Sequence, residues 1–389
     1  MKKFRIPLVV KVLIAIVLGI AVGQFAPGWL VRTSNTLVGV FDQLLRFFIP
    51  LIIIGLVTPA IADFGQTAGK MLLITVGLAY LFTVCSGLFS YLFSTSLFPI
   101  VLSKGSLAAL ENAGQEFAPF FTITIPPLAD VMTSLVLSFL LGLGIAFTHA
   151  EKLHRGFAEL KEIVVLSIEN VIIPVLPFYI FGLFLDMAAA GKVGPVIGSF
   201  LAVVGIIFAM TLVLLVLQYC VAGIVARRNP FKALWGMLPA YLTALGTASS
   251  AATIPVTLKS AIGNGVREDV AGFTVPLCAT IHLSGSTLKI TSCAIALMLM
   301  MDKPFTFPMI LGFVLMLGVT MVAAPGVPGG AIMAALGVLG SILGFDATQQ
   351  ALMITLYIAM DSFGTACNVT GDGAIALIVD RIAGKEARG

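Results

Sequence analysis

Thr247-Ala248-Ser249-Ser250-Ala251-Ala252-Thr253-Ile254-Pro255 and Ala324-Pro325-Gly326-Val327-Pro328-Gly329-Gly330-Ala331 are two clusters of small residues. Each lies in the middle of a long apolar stretch, 231–262 and 305–341. Irregular backbone at membrane depth survives only where it is buried in protein or lines a watery cavity. A Gly/Pro kink in an ordinary span is the simpler reading of either cluster alone. Two of them in one half of the chain, each followed by a helix with polar residues, favour paired re-entrant loops. That arrangement points to a transport site built from inverted repeats.

The rest of the chain agrees with a membrane setting. Of its 389 residues 59% are hydrophobic and 10% charged, and the mean hydropathy is +1.11. A soluble fold this apolar could not cover itself with polar surface, which excludes soluble enzymes, nucleic-acid binders and disordered chains. The net charge of +4 comes from loop lysines and arginines, so no nucleic-acid partner is expected. Cys85, Cys220, Cys278, Cys293 and Cys367 lie in apolar segments without metal-ligand spacing and read as small buried hydrophobes. The basic start Met1-Lys2-Lys3-Phe4-Arg5 mimics a signal peptide. The apolar run after it reaches about Phe25 with no cleavage-like end, so it reads as a first helix.

Stretches able to cross the hydrocarbon fall at about 7–27, 36–62, 71–101, 126–149, 160–190 and 195–226. Beyond 230 they are interrupted by Gly, Pro, Ser and Thr: 231–262, 267–301, 305–341 and 347–380. With the N-terminus inside, the inner loops carry Lys2, Lys3, Arg5, Lys70, Lys152, Arg155, Lys161, Arg227, Arg228 and Lys232, and the outer loops Arg32, Lys104 and Lys192. This bias predicts a cytoplasmic N-terminus, and the basic tail with Arg381, Lys385 and Arg388 predicts a cytoplasmic C-terminus. Both termini inside require an even number of crossings. The expectation is an all-α polytopic protein with eight transmembrane helices and two re-entrant hairpins.

Charges at membrane depth are costly and mark function by default. Asp361, Thr365, Asn368 and Asp372 are spaced four, three and four apart, so they form one helical stripe that must face a protein or water-lined site. An interhelical hydrogen-bond seam is the alternative, which the two acids disfavour. Thr280-Ile281-His282-Leu283-Ser284-Gly285-Ser286-Thr287 breaks another span, with His282 and Lys289 about the break. Unwound carbonyls and half-helix ends coordinate ions in transporters. His282 alone reads more readily as a structural residue. Lys289, too deep to reach the interface, requires an acidic partner. Ser249 and Ser250 present N–H groups suited to a carboxylate. Serines near acids also invite a hydrolase reading, but G-x-S-x-G, H-E-x-x-H and a Walker A motif are all absent.

These residues resemble the dicarboxylate/amino acid:cation symporters, the glutamate transporter homologues, over nearly the whole chain. The matching motifs are Leu45-Arg46-Phe47-Phe48-Ile49-Pro50-Leu51, Ser249 to Pro255 with Val256-Thr257, Val275-Pro276-Leu277-Cys278-Ala279-Thr280-Ile281, Gly326-Val327-Pro328-Gly329 and Asn368-Val369-Thr370-Gly371-Asp372. The resemblance implies a homotrimer in the inner (cytoplasmic) cell membrane. Spans one and two (1–70) and four and five (118–192) would form a scaffold. Span three (71–104) and residues 193–389, which hold span six, both hairpins and spans seven and eight, would form a transport domain that slides like an elevator. The second hairpin would be the outer gate. Substrate would lie among Ser249, Ser250, Val327, Gly329, Asp361, Gly364, Thr365 and Asn368, with Asp361 as ligand for an amino group. Asn368 and Asp372 match a sodium site, so Na+ is the one ion the resemblance supplies, as a coupling ion; no other cofactor is expected.

Three departures from the family pattern bear on mechanism. The span-seven Asn-Met-Asp-Gly-Thr is His282-Leu283-Ser284-Gly285-Ser286, which replaces an acidic sodium ligand by Ser284. The span-three Thr-Ser pair is Thr83-Val84. The span-eight Arg that holds a side-chain carboxylate is Gly364. Loss of the acid and a hydroxyl from one site should weaken sodium there. Burial favours the neutral form of His282 or Lys289 while a nearby carboxylate favours the charged one, the balance that proton coupling requires. The reading is a secondary symporter of a small amino acid, neutral in preference to acidic because of Gly364 unless Lys289 replaces the lost charge, with coupling by protons or reduced sodium. The alternatives are a sodium-coupled dicarboxylate or glutamate symporter and an uncoupled channel-like facilitator.

Overall fold

A backbone in hydrocarbon must satisfy its own N–H and C=O groups, which leaves helices or closed barrels. The computed structural model describes residues 8–66, 70–106, 117–191, 193–324 and 328–386, and its regular structure is entirely helical among these residues. In order the helices are α1 (Leu8–Gly23), α2 (Gly28–Gln66), α3 (Lys70–Val101), α4 (Val131–Thr148), α5 (Glu151–Ser167), α6 (Ile173–Ala189), α7 (Val193–Ala226), α8 (Pro230–Gly236), α9 (Leu238–Thr247), α10 (Ser250–Gly263), α11 (Glu268–Ile281), α12 (Ser284–Met300), α13 (Phe307–Val322), α14 (Gly330–Leu343), α15 (Ala347–Ala359) and α16 (Asp361–Glu386). A π turn, Ile168–Ile172, joins α5 to α6.

Among the described residues five stretches are long and apolar enough to cross a membrane: Gly28–Asp63, Met71–Val101, Glu151–Ala189, Gly198–Ala226 and Glu268–Met300. The pair α15 and α16, bent by 64° at Met360, makes a sixth if counted as one crossing. Leu13, Val17, Leu81, Leu140, Phe147, Leu201 and Ile224 stand exposed on the outside, an apolar surface suited to lipid and not to water. The protein is a polytopic membrane protein.

Helix boundaries depart from the sequence expectation at three places. Residues 28–35, expected as loop, are the first turns of α2, where Thr33 and Thr36 hydroxyls donate to carbonyls four residues back. The fourth segment begins at Val131 instead of 126, because Pro126 and Pro127 keep the chain extended until Asp130 caps α4 through the Thr133 N–H. The fifth starts at Glu151, so Lys152, Arg155 and Lys161 ride on helix.

Packing puts α12 at the centre, where all of its residues except Leu299 are buried. Helix α3 lies against it through hydroxyls: Ser86 Oγ donates to Ser284 O at 2.8 Å, and Ser90 and Ser94 meet Ser292 at 2.7 and 3.0 Å. Helix α16 packs on α7, α9, α11 and α12; α9 pairs with α10 and α13 with α14. At the far side α1 lies on α6. A Cβ on Gly19 would stand 2.6 Å from Phe181 O, and one on Gly23 2.5 Å from Leu185 O, so only glycine permits this backbone-to-backbone approach.

Gly285 bears the same constraint in the centre. A Cβ there would lie 2.6 Å from Cys367 Cβ and 2.7 Å from Gly364 O. Gly285→Ala should therefore cost ~1–3 kcal/mol through overpacking against backbone that cannot yield. Gly144→Ala in α4, where nothing lies within 4 Å of the new methyl, should be neutral or stabilising. Thermal unfolding of the two variants in detergent checks both outcomes.

Candidate functional site

Four chain interruptions converge on one place. The α9–α10 turn holds Ala248 in the left-handed region (φ 50°), and Ser249 caps α10 through the Ala252 N–H. The α11–α12 break leaves His282 extended and Leu283 outside the helical region. The α14 start holds Gly329 at φ 76°, and the bend at Met360 makes Asp361 the first residue of α16. A cavity of about 30 Å³ lies between them, lined by Ser250, Ser286, Tyr357, Asp361, Thr365 and Asn368, among others. At ~10–15 Å³ per water it has room for about two.

Asp361 is the hub of the cavity. Its Oδ2 accepts the Gly329 N–H at 2.8 Å, and its Oδ1 lies 3.7 Å from Lys289 Nζ. Lys289 is 1% exposed; its ammonium also donates to Met360 O at 3.2 Å and sits 3.8 Å from the centroid of the Tyr357 ring. The acidic partner that burial demands of Lys289 is therefore Asp361. A Cβ on Gly364 would strike Lys289 Cε and Nζ, so the lysine end occupies the space beside that glycine. Thr365 Oγ1 donates to Asp361 O. Asn368 Oδ1 accepts the Gly285 and Ser286 N–H groups at 2.8 and 3.3 Å, capping α12 from a different helix, and its Nδ2 donates to Ser286 Oγ. Tyr357 Oη and Ser286 Oγ are 2.9 Å apart.

Deeper in the bundle His282 Nδ1 lies 2.8 Å from Asp372 Oδ1, both groups fully buried. Ser284 Oγ accepts from Gln218 Nε2 at 3.1 Å. His282 Nε2, Asp372 Oδ2 and Gln218 Oε1 are buried without a partner here, atoms that would accept water or a small ion. Gly371 leaves room here: a Cβ on it would meet His282 Cε1 and Gln218 Oε1.

Of the sequence-predicted residues, Ser250, Asp361, Thr365 and Asn368 line the cavity, Gly329 bonds into it and Gly364 is covered by Lys289. Ser249 serves as the α10 cap, and Val327 lies outside the described residues. His282, Ser284 and Asp372 gather in the deeper group; Thr83 is buried, and its carbonyl shares the Ser86 hydroxyl with Ser284 O. Gln218 and Tyr357 were missed. Gln218 has a legible signal, a buried amide inside Gly198–Ala226, the most hydropathic of the spans. Tyr357 stands one turn before Asp361 but reads as an ordinary apolar-face residue.

Residues 8–382 match the sodium:dicarboxylate symporter family. The chain belongs to that family. Its members are symporters, and this chain is a transporter and not an enzyme. It is similar to the serine/threonine transporter SstT of Acinetobacter baumannii strain AYE, at 27% identity over 394 residues covering 97% of each chain. The same transporter of strain ATCC 17978 is 27% identical over 396 residues, again with 97% of each covered.

Both residues that the resemblance matches to a sodium site hold protein partners through one oxygen each: Asn368 Oδ1 accepts two N–H groups and Asp372 Oδ1 meets His282. Breaking a buried pair strands the remaining group, while replacing both members by apolar residues does not. His282→Leu and Asp372→Leu should each destabilise by ~3–5 kcal/mol, and the double variant should recover most of that loss. Tm values of the three in detergent test the pairing. Additive losses would show that the two side chains act independently.

Proposed function

We propose that this chain is a secondary symporter that carries a small amino acid across the inner (cytoplasmic) membrane, with both termini cytoplasmic. The observation that carries the reading is the family match over residues 8–382 together with a cavity that gathers Asp361, Thr365, Asn368 and residues of two helix pairs. Ser249 and Ser250 at the first tip, Val327 and Gly329 at the second, and Asp361, Thr365 and Asn368 would grip the solute, Asp361 taking its ammonium. The helix pairs α9–α10 and α13–α14 are the proposed re-entrant hairpins, giving eight crossings. Residues 1–70 and 118–192 form the scaffold of a homotrimer set in lipid; 71–104 and 193–389 form the moving domain. Packing supports this division: α1 and α2 associate with α4 to α6, and α3 and α7 with α12 and α16.

A neutral substrate is favoured. Gly364 offers no side-chain donor, and the curated relatives are named for serine and threonine. A specific observation keeps an acidic substrate as second reading: the Lys289 ammonium fills the space beside Gly364 and would supply a positive charge there. Coupling is proposed to run on protons through the His282–Asp372 pair, because protein donors already hold Asn368 Oδ1 and Asp372 Oδ1. Sodium is the competing coupling ion. The unpartnered Asp372 Oδ2 and Gln218 Oε1 favour it, since sodium requires several oxygens.

Two experiments in liposomes test this reading. Wild-type protein should accumulate serine, threonine or alanine against a gradient when driven by an inward proton gradient without sodium. Uptake that needs sodium, ignores the pH gradient and is unchanged by His282→Ala would assign sodium as the coupling ion. Flux that never exceeds equilibrium would mark an uncoupled facilitator. Asp361→Asn should reduce amino-acid uptake by roughly two orders of magnitude, the factor that ~2–3 kcal/mol of lost counter-charge implies. Unchanged uptake in that variant removes Asp361 from the site.

A further inference from the structure

The second tip and the last helix meet at Asp361. Gly329 N–H donates to Asp361 Oδ2, and Asp361 is buried. A carboxylate enclosed in this way needs a positive partner, or closure would strand a buried charge. The partner present is Lys289. Its ammonium has the charge and the donor groups of an amino acid's α-ammonium. It faces the same carboxylate from 3.7 Å, a separation longer than a direct hydrogen bond, and is steadied by Met360 O and the Tyr357 ring. Gly364 provides the room in which the lysine end lies; any side chain at that position would displace it.

We infer that Lys289 is a tethered counter-ion: it stands in for the substrate's ammonium at Asp361, so that the site can close and the unloaded carrier can return across the membrane without a counter-transported metal cation. The inference rests on the symporter reading above and adds the return half of its cycle. On loading, the substrate's ammonium takes over Asp361, while Lys289 keeps the Met360 carbonyl and the Tyr357 face. Asp361 is paired in both crossings, once by the cargo and once by the chain itself. Lys289 touches no reacting group and acts as a positioning residue for closure.

The test separates exchange, in which the carrier crosses loaded in both directions, from net flux, which needs the empty crossing. In liposomes Lys289→Met should keep exchange of internal for external labelled amino acid within about threefold of wild type, because the cargo still pairs Asp361. Its net uptake and net efflux should fall by about a hundredfold, the factor that a lone intramembrane charge implies. Equal loss of exchange and net flux by a variant that remains folded in detergent would overturn the inference, as would net flux at the wild-type level. The second measurement needs no variant. Wild-type efflux of preloaded amino acid should keep its rate when potassium and sodium outside are replaced by N-methylglucamine; a requirement for an external metal cation overturns the inference. Wild-type protein that exchanges none of the neutral or acidic amino acids would sink the symporter reading, and the inference with it. Exchange by wild type with cation-dependent efflux would sink the inference alone.

Discussion

Two buried acid–base contacts hold the centre of this protein together. Lys289 reaches Asp361, and His282 reaches Asp372. The order is inverse, the earlier residue of the broken span meeting the later residue of the last helix, so the two segments run in opposite directions past one another. Between the contacts, Asn368 caps the α12 start and Ser286 joins Tyr357. The break at His282–Leu283 frees backbone donors, the Asn368 side chain accepts them, and the bend at Met360 brings Asp361 to the second tip. Each irregularity is satisfied by a side chain from another, as non-helical backbone at membrane depth requires.

Much of this was legible before any coordinate. The apolar segments follow from composition, since spans of ~20 apolar residues have few alternatives. The interruptions at 247–255 and 280–287 announce themselves through Ser, Thr, Gly and Pro. The polar stripe from Asp361 to Asp372 follows from the helical period alone. The need of Lys289 for an acid was readable from desolvation. Which acid it takes was not, because Asp361 and Asp372 share one face and 72 residues separate Lys289 from the nearer. Tyr357 escaped for the same reason: its role is set by a neighbour distant in sequence. The early start of α2 escaped because Arg32-Thr33-Ser34-Asn35 is polar, and polarity at a membrane surface does not distinguish helix from loop.

Two positions that depart from the pattern the sequence resembles are answered by neighbours in space. The Ser284 hydroxyl is held by the Gln218 amide from α7. The space beside Gly364, where the resemblance would put an arginine, is filled by the Lys289 ammonium from α12. Read singly along the chain, such a position registers only an absent side chain; in three dimensions a cation from another helix occupies the same region.

The contact of α1 with α6 has a consequence for synthesis. Gly19 and Gly23 lie on α6 backbone near Phe181 and Leu185, so 162 residues separate Gly19 from the carbonyl it packs against. At ~5–20 residues per second a ribosome needs roughly ten to thirty seconds to supply that partner. Through that interval the glycine face of the first helix, shaped for another backbone, has only lipid or the insertion machinery to cover it. Assembly of this half of the protein therefore waits on chain elongation, and a pause before residue 180 would prolong the exposure of its first membrane helix.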